Sequence, residues 1–351
     1  MYKEGIKLKK IITFLLIVLF SIVTLFLCAE FNLIDLTGAY NNSVLFNRVV
    51  SNGLSIDDDN LSKSYGTENR YYYEQLSASA KKIYDSIINN KDNMKSGTYV
   101  INIDSSELDD ILKDNNLLNF EFQNAINALS YDNVDLFYID FSKMVLNTKS
   151  YISDKSTRYE LSLTPSSDNG NYYTDYIKSN DDLNEFLSKV ETLKNDILKD
   201  AKGNNYKKIK YIHDYLIDEL SYDESYKSVG TRDIYGALVN KSVVCEGYSK
   251  VFKYLLDELN IPCILVSGTA VDTSGNEEAH MWNYVKINDT WYLVDVTWDD
   301  PVIEGGSNLN MYRYKYFCQG DNINTDHFLE NKITENSQEF IYPEIYHKES
   351  K

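Results

Sequence analysis

The chain has 351 residues, of which 43% are apolar and 25% are charged, and its formal net charge is −18 at pH 7. A chain of this size and composition can hold one large domain or two small ones around a sizeable core. The negative charge argues against nucleic acid, because a phosphate backbone has to be met by clustered Lys and Arg, and against a folded domain lying on an anionic membrane surface.

The amino-terminal residues predict a membrane anchor. Residues 11–29 read IITFLLIVLFSIVTLFLCA, 19 residues without a charge, and a helix rising about 1.5 Å per residue spans most of a roughly 30 Å hydrocarbon core at that length. Lysines precede the run and Glu30 follows it, so residues 1–10 are expected in the cytoplasm and the rest of the chain outside. A cleaved signal peptide is the alternative, but the run is long for one and lacks a good cleavage site. We expect an uncleaved, single-pass signal anchor in the cell membrane.

The segment after the anchor predicts a linker followed by a globular extension. Residues 30–69 are rich in Asn, Ser, Gly and Asp and show no sustained apolar period, which is typical of a tether. Residues 70–180 predict an N-terminal α/β extension of unknown role. Apolar spacing and turn residues predict its elements: helices at 73–90, 106–115 and 120–129, and strands at 97–103, 158–164 and 171–177, the last two flanking PSSDNG.

A second domain is predicted at 181–345, opening with helices near 181–201 and 205–220. Within it, SVVCEGYSKVFKYLLDEL (242–259) places Cys245 at the start of an amphipathic helix. The unpaired N–H groups of a first helical turn carry roughly half a positive charge. That field favours a thiolate, which is the nucleophilic form of cysteine, and it can stabilise an oxyanion. A lone cysteine at a helix start is nevertheless more often structural.

Two predicted strands downstream supply partners for this cysteine. HMWNYVKI (280–287) and TWYLVDVTW (290–298) alternate in strand fashion, with Asn-Asp (288–289) between them as the turn of a hairpin. If the pairing runs from this turn to His280, Asp295 lies on the same face of the sheet as His280 and diagonal to it. Diagonal neighbours are about 7–8 Å apart at Cα, which is within reach of an imidazole–carboxylate hydrogen bond, whereas a slip of one residue would separate them.

These three side chains predict a nucleophilic site. Cys245 would attack an acyl carbon, His280 would hold the thiol proton and later protonate the leaving amine, and Asp295 would fix the tautomer of His280. The alternative is a buried histidine that pairs with a carboxylate for packing alone.

The same segments resemble the transglutaminase-like superfamily, particularly its bacterial secreted or anchored members. The Cys-x-Gly-Tyr helix start, the His-x-Trp-Asn strand and the Trp-Tyr-x-x-Asp-x-Thr-Trp strand occur in the order and spacing of that family. The resemblance covers roughly 205–330. It implies an α+β fold with a papain-like core, in which the cysteine helix packs on an antiparallel sheet, and a catalytic triad of Cys245, His280 and Asp295. Such enzymes often complete the oxyanion hole with an upstream donor, for which Tyr222 is the candidate, with core packing as its alternative.

The resemblance implies a thiol enzyme at the cell surface that acts on amide bonds of protein or cell-wall peptide. Its acyl-enzyme would be resolved by water, as in a peptidase or amidase, or by an amine, as in protein-glutamine transfer. A catalytically silent binding or assembly module remains the alternative. The sequence offers no close-spaced ligand set for zinc, so neither a metal nor an organic cofactor is expected. The oligomeric state stays open.

The sequence gives weaker indications of the roles of several other side chains. Trp282 and Trp298 either wall the cleft or belong to the core, and His213 is expected to be a packing histidine. No role is predicted for His327. Cys263 lies in an apolar run and is expected in the core, and a disulfide between it and Cys318 stays open.

Overall fold

A computed structural model of the protein describes residues 70–106, 108–153, 156–167, 170–272, 274–300, 313–321 and 325–347. The predicted cytoplasmic tail, signal anchor and linker (1–69) lie outside these residues. Among the residues described, no helix is both long enough and apolar enough to cross a bilayer.

The described residues form a mixed α and β structure. The helices are α1 (Ala78–Ile88), α2 (Lys91–Met94), α3 (Asp109–Leu112), α4 (Asn115–Asp132), α5 (Asn180–Leu198), α6 (Asn205–Glu219) and α7 (Cys245–Glu258). The strands are β1 (Ile101–Ile103), β2 (Met144–Ser153), β3 (Ser156–Pro165), β4 (Ser221–Tyr222), β5 (Ser242–Val243), β6 (Cys263–Val271), β7 (Glu277–Ile287), β8 (Thr290–Val294) and β9 (His327–Leu329).

The first helix forms where its apolar spacing predicts. Ser77 caps α1 by accepting a hydrogen bond from the backbone N–H of Ala80, as polar cap residues commonly do. Ala80, Ile83, Tyr84 and Ile87 form its buried face, which is the i, i+3, i+4, i+7 pattern of an amphipathic helix.

The first sheet contains one strand, β2, that was not predicted from the sequence. Its order is β1-β3-β2, with antiparallel neighbours. The predicted partner of β3, residues 171–177, is wrong as a strand, because only an isolated bridge between Ile139 and Tyr173 forms there. Tyr172 is instead buried, and its hydroxyl donates to the carbonyl oxygens of Tyr99 and Leu163. This segment is therefore a packed connection and not a strand, and β2 is the strand that pairs with β3 in its place.

The second sheet carries the cysteine helix. Its order is β8-β7-β6-β9, again with antiparallel neighbours. The α7 helix lies against β6 and β7 and is tied to β7 by two hydrogen bonds. Ser249 Oγ donates to the carbonyl oxygen of Met281 at 2.8 Å, and Asn283 Nδ2 donates to the carbonyl oxygen of Ser249 at 3.1 Å. The predicted packing of this helix on an antiparallel sheet is confirmed.

The predicted hairpin forms between β7 and β8. Asn288 and Asp289 have φ values of 46° and 63°, as the two central residues of a type I′ turn require, and Ile287 pairs with Thr290. The pairing ends at Val294 and does not run on to His280, which corrects the predicted extent of the strand. Beyond that point the chain turns, and the N–H of Trp298 donates to Asp295 Oδ1 at 3.2 Å.

Candidate active site

The helix start at Cys245 is held by the chain on both sides of it. Immediately before it, Val244 donates its N–H to the carbonyl oxygen of Thr231 at 2.9 Å. Val244 offers no side-chain cap to the helix, so no side-chain acceptor from the cap position competes for the first-turn N–H groups. A Cβ on Gly247 would lie 2.5 Å from the Val243 Cβ and 2.8 Å from the Thr231 carbonyl oxygen. The glycine therefore permits the close approach that sets the first turn.

The three cysteines in the described part of the chain are free thiols in two environments. Cys245 is partly exposed, whereas Cys263 and Cys318 are buried. Burial raises the pKa of both buried thiols well above the ordinary value, because the charged form is poorly solvated there. The disulfide between Cys263 and Cys318 that the sequence left open is absent, and Cys245 is the one of these three thiols with access to solvent.

The structure brings the predicted histidine and aspartate into direct contact. His280 Nε2 lies 2.7 Å from Asp295 Oδ2, and both side chains are buried. Burial lowers the pKa of His280, but the charge and hydrogen bond of Asp295, together with the hydrogen bond and charge of Cys245, raise it to about 10. Burial raises the pKa of Asp295, but the charge and hydrogen bond of His280 and the hydrogen bond of His327 hold it well below its usual range.

Cys245 is near enough to His280 to raise the pKa of its imidazole. Because His280 Nε2 is engaged by the carboxylate, Nδ1 is the ring nitrogen available to a thiol. The raised pKa keeps His280 protonated at neutral pH, so its Nδ1 can hold the proton given up by a thiol and return it later. Proton exchange of this kind is what thiol–imidazole catalysis requires, and the catalytic role of these residues stays a prediction.

Tyr222 lies close to the sulfur. It pairs with Val243 between the short parallel strands β4 and β5, two residues before Cys245. Burial raises the pKa of Tyr222, and the neighbouring Cys245 and a hydrogen bond with Tyr226 raise it further. The phenol therefore stays protonated and keeps a hydrogen to donate beside the thiol, and its role in the oxyanion hole stays a prediction.

A second histidine, for which the sequence predicted no role, joins the site. His327 Nε2 lies 3.0 Å from Asp295 Oδ2, the same oxygen that His280 contacts. Its ring centroid lies 4.8 Å from that of Trp282 and 4.7 Å from that of Trp298. The two tryptophans thus pack around the imidazoles, and Trp282 is fully buried. The only sequence signal for His327 is the adjacent polar residue Asp326 at the start of a short strand.

His213 occupies a separate buried position, as predicted for a packing histidine. Its Nε2 lies 3.1 Å from Asp299 Oδ2 and its Nδ1 lies 3.1 Å from Asp214 Oδ1. Neither carboxylate belongs to the triad.

The cluster of His280, Asp295 and His327 offers three donor atoms within 4.8 Å of one another, a set that can hold a metal ion. The separations of 2.7 and 3.0 Å from the carboxylate oxygen to the two nitrogens are those of hydrogen bonds. Two ligands bound to a tetrahedral zinc at about 2.0–2.1 Å lie roughly 3.3 Å apart. The distances between these atoms therefore fit hydrogen bonds better than they fit ligands bound to one metal ion.

Residues 191–296 match the family model of the Transglutaminase-like superfamily. These residues form a transglutaminase-like domain. This confirms the family predicted from the three motifs, and the matched residues include Cys245, His280 and Asp295 of the transglutaminase-like domain.

Curated relatives and solved structures are more distant from the chain. It is 25% identical to the kyphoscoliosis peptidase of Mus musculus over 164 residues, which is 43% of this chain and 23% of that protein. The Homo sapiens kyphoscoliosis peptidase is 24% identical over 159 residues, covering 41% of this chain and 24% of that protein. The matched stretch thus spans about a quarter of these relatives' length.

Two solved structures are similar to parts of the chain. A structure described as a TGase has a TM-score of 0.30 at 15% identity and covers 48% of this chain and 47% of that one. The periplasmic domain of TgpA from Pseudomonas aeruginosa has a TM-score of 0.26 at 13% identity and covers 45% of this chain and 66% of that one.

The difference in burial among the three thiols predicts selective labelling. Iodoacetamide at neutral pH is expected to label Cys245 at least about 100-fold faster than Cys263 or Cys318, because a thiol must be both ionised and accessible to react. Peptide mapping by mass spectrometry after timed quenching measures the three rates in the folded chain. Comparable rates for Cys245 and Cys318 would contradict this prediction, and labelling in denaturant serves as the control for intrinsic reactivity.

Proposed function

We propose that the chain is a membrane-anchored thiol enzyme that acts outside the cytoplasm on amide bonds, through Cys245, His280 and Asp295. The observation that carries the proposal is the contact of one imidazole with a buried carboxylate, together with the influence of a partly exposed thiol on the pKa of that imidazole. His280 Nε2 lies 2.7 Å from Asp295 Oδ2, and Cys245 helps to raise the pKa of His280.

The first half of the reaction forms an acyl-enzyme. His280 Nδ1 takes the thiol proton, and the Cys245 thiolate attacks the amide carbon, so that a C–S bond forms and the carbonyl electrons move to the oxygen. The N–H groups of the first turn of α7 stabilise this oxyanion, with Tyr222 as a further donor. When the oxyanion collapses, the C–N bond breaks and the His280 imidazolium gives its proton to the leaving amine.

The second half releases the acyl group. His280, now neutral, takes a proton from water or from an amine, and the resulting nucleophile attacks the thioester carbon. The C–S bond breaks and the Cys245 sulfur recovers its proton, which leaves a carboxylic acid after attack by water or a new amide after attack by an amine. The curated relatives are named peptidases, which supports hydrolysis as the first outcome to test.

The proposed location rests on the residues before the domain. The uncharged run at 11–29 is long enough for an anchor, and the segment at 30–69 would act as a tether. A domain held in this way would meet proteins or cell-wall peptides close to the outward-facing surface of the cell membrane. The strongly negative charge of the chain supports peptide substrates over nucleic acid.

The proposed reaction predicts a product that depends on Cys245. The purified full chain is incubated with cell-wall peptides, glutamine-containing peptides and a fluorescent primary amine, and the products are identified by mass spectrometry. Cys245→Ala is expected to reduce product formation by about 1,000-fold or more, because the nucleophile itself is removed.

The products separate the competing functions. New peptide termini indicate hydrolysis, and incorporation of the amine with loss of ammonia indicates transfer. Cys263→Ala is the matched control, because it removes a buried thiol outside the site. The absence of any product that depends on Cys245 would contradict the enzyme and favour a silent binding or assembly module.

A further inference from the structure

His327 shares a carboxylate oxygen with the triad histidine. Its Nε2 lies 3.0 Å from Asp295 Oδ2, and His280 Nε2 lies 2.7 Å from the same atom. On its other side, His327 Nδ1 lies 2.8 Å from Asp326 Oδ1. The imidazole thus connects two carboxylates, one of which orients the proposed catalytic histidine.

The sheet brings the two histidines together across strand β6. His280 on β7 pairs with Gly268, and His327 on β9 pairs with Ala270. Residues two apart on a strand point to the same face, so both imidazoles rise from the same side of the sheet. Since the two β6 residues between them are glycine and alanine, there is room for the rings to approach, and their centroids lie 5.6 Å apart.

The contacts of His327 fit a charged imidazolium. A neutral imidazole has one N–H, whereas here both ring nitrogens face carboxylate oxygens. Burial lowers the pKa of His327, but the hydrogen bonds that its ring donates to Asp295 and Asp326 raise it above its ordinary value. Burial raises the pKa of Asp326, but its hydrogen bonds to His327 and to the Tyr316 hydroxyl, at 2.6 Å, lower it overall. Asp326 is therefore an ionised partner that keeps His327 protonated.

We propose that His327, held as an imidazolium by Asp326, is a positioning residue for the Cys245–His280–Asp295 set. By donating to Asp295 Oδ2 it fixes the rotation of that carboxylate and takes up part of its negative charge. His280 then holds its proton less tightly than it would beside an unshared carboxylate, which suits a group that must pass the proton to a leaving amine. This inference deepens the proposed function and rests on it for its catalytic meaning.

Among the described residues, three other groups that carry or can carry charge surround His327 or its partner Asp326. His280 on β7 repels the imidazolium, and Tyr316, whose ring centroid lies 5.1 Å away, is bonded to Asp326. Lys315 Nζ lies 3.6 Å from Asp326 Oδ2 and supports its ionised form. Strand β6, which lies between the two histidines, presents no titratable side chain at its paired positions 268 and 270.

The titration of His280 tests the proposal directly. The chain has only four histidines, so the full chain with ¹³C-labelled histidine gives four sets of ring signals, which single His→Gln variants assign. In the wild type, His327 is expected to stay protonated from pH 6 to 8. In His327→Gln, the midpoint of His280 is expected to rise by about one to two pH units, since a positive charge about 5.6 Å away is lost.

A second buried histidine provides the matched control. His213→Gln also removes a buried imidazole held between two carboxylates, and it is expected to leave the His280 midpoint unchanged. A His280 midpoint that is unchanged or lowered in folded His327→Gln overturns the proposal, as does a neutral His327 at pH 7 in the wild type.

A second variant covers the case in which His327→Gln fails to fold. Asp326→Asn keeps the ring but removes its counter-charge, so His327 is expected to lose its proton at lower pH while the His280 midpoint rises. Unmoved midpoints in this variant overturn the proposal. Failure of the proposed function is a separate result, because slow alkylation of Cys245 in the wild type would contradict the enzyme without changing the titration of His280.

Discussion

His280→Ala is expected to slow the alkylation of Cys245 by about 100-fold at pH 6, since an unassisted thiol is ionised to only about 0.3% at that pH. In the wild type the pKa of His280 is raised to about 10, so the imidazole is charged at pH 6 and stabilises a thiolate beside it. The charge is fully present below the ordinary histidine pKa and is lost as the pH rises through 10. Iodoacetamide rates measured from pH 5 to 9 check this prediction.

The pH dependence of the rate ratio makes this test specific. The advantage of wild type over His280→Ala should shrink roughly tenfold per pH unit towards pH 8.5, as the unassisted thiol ionises by itself. His213→Ala is the matched control, because it also removes a buried imidazole that contacts two carboxylates. A ratio that stays near one at pH 6, with both variants folded, would show that His280 does not activate the thiol.

The contact of His280 with Asp295 was predictable because it depends on short-range features. The Asn288-Asp289 turn sets the register of the hairpin, and the alternation of side chains then brings Asp295 towards His280 without any knowledge of the rest of the fold. The position of Cys245 at the start of a helix could be predicted from the amphipathic period of that helix alone. The extent of β8 was not predictable in this way, because the chain leaves the sheet after Val294 through a turn closed by Asp295 itself.

His327 and the partner of β3 depend on long-range pairing. Strand β9 has three residues and joins the sheet at β6, more than 50 positions earlier in the chain, and so short a strand has no periodicity to detect. The β2 segment is largely exposed along its length and lacks the alternation of apolar and polar residues expected for a half-buried strand. The tyrosine-rich segment at 171–177 matched strand propensity better, but its buried tyrosines bond to backbone carbonyls instead of joining the ladder.

Gly268→Ala is expected to lower the unfolding midpoint by roughly 5–10 °C, which corresponds to overpacking that costs about 3 kcal/mol. A Cβ at this position would overlap the carbonyl oxygen of Phe328 and come within 2.9 Å of the Trp282 ring. Gly268 pairs with both His280 and Leu329, so β9 has to move away from β6 to admit the methyl group. Thermal unfolding followed by circular dichroism measures the shift.

Gly275→Ala separates this steric effect from the general loss of a glycine. Gly275 has a φ of 84°, but a Cβ there would meet no atom within 4 Å, so only the backbone strain of about 1–2 kcal/mol is expected. A Gly268→Ala midpoint no lower than that of Gly275→Ala would contradict the close approach of β6 and β9. Since β9 carries His327, such a result would also remove the structural basis for the second imidazole at Asp295.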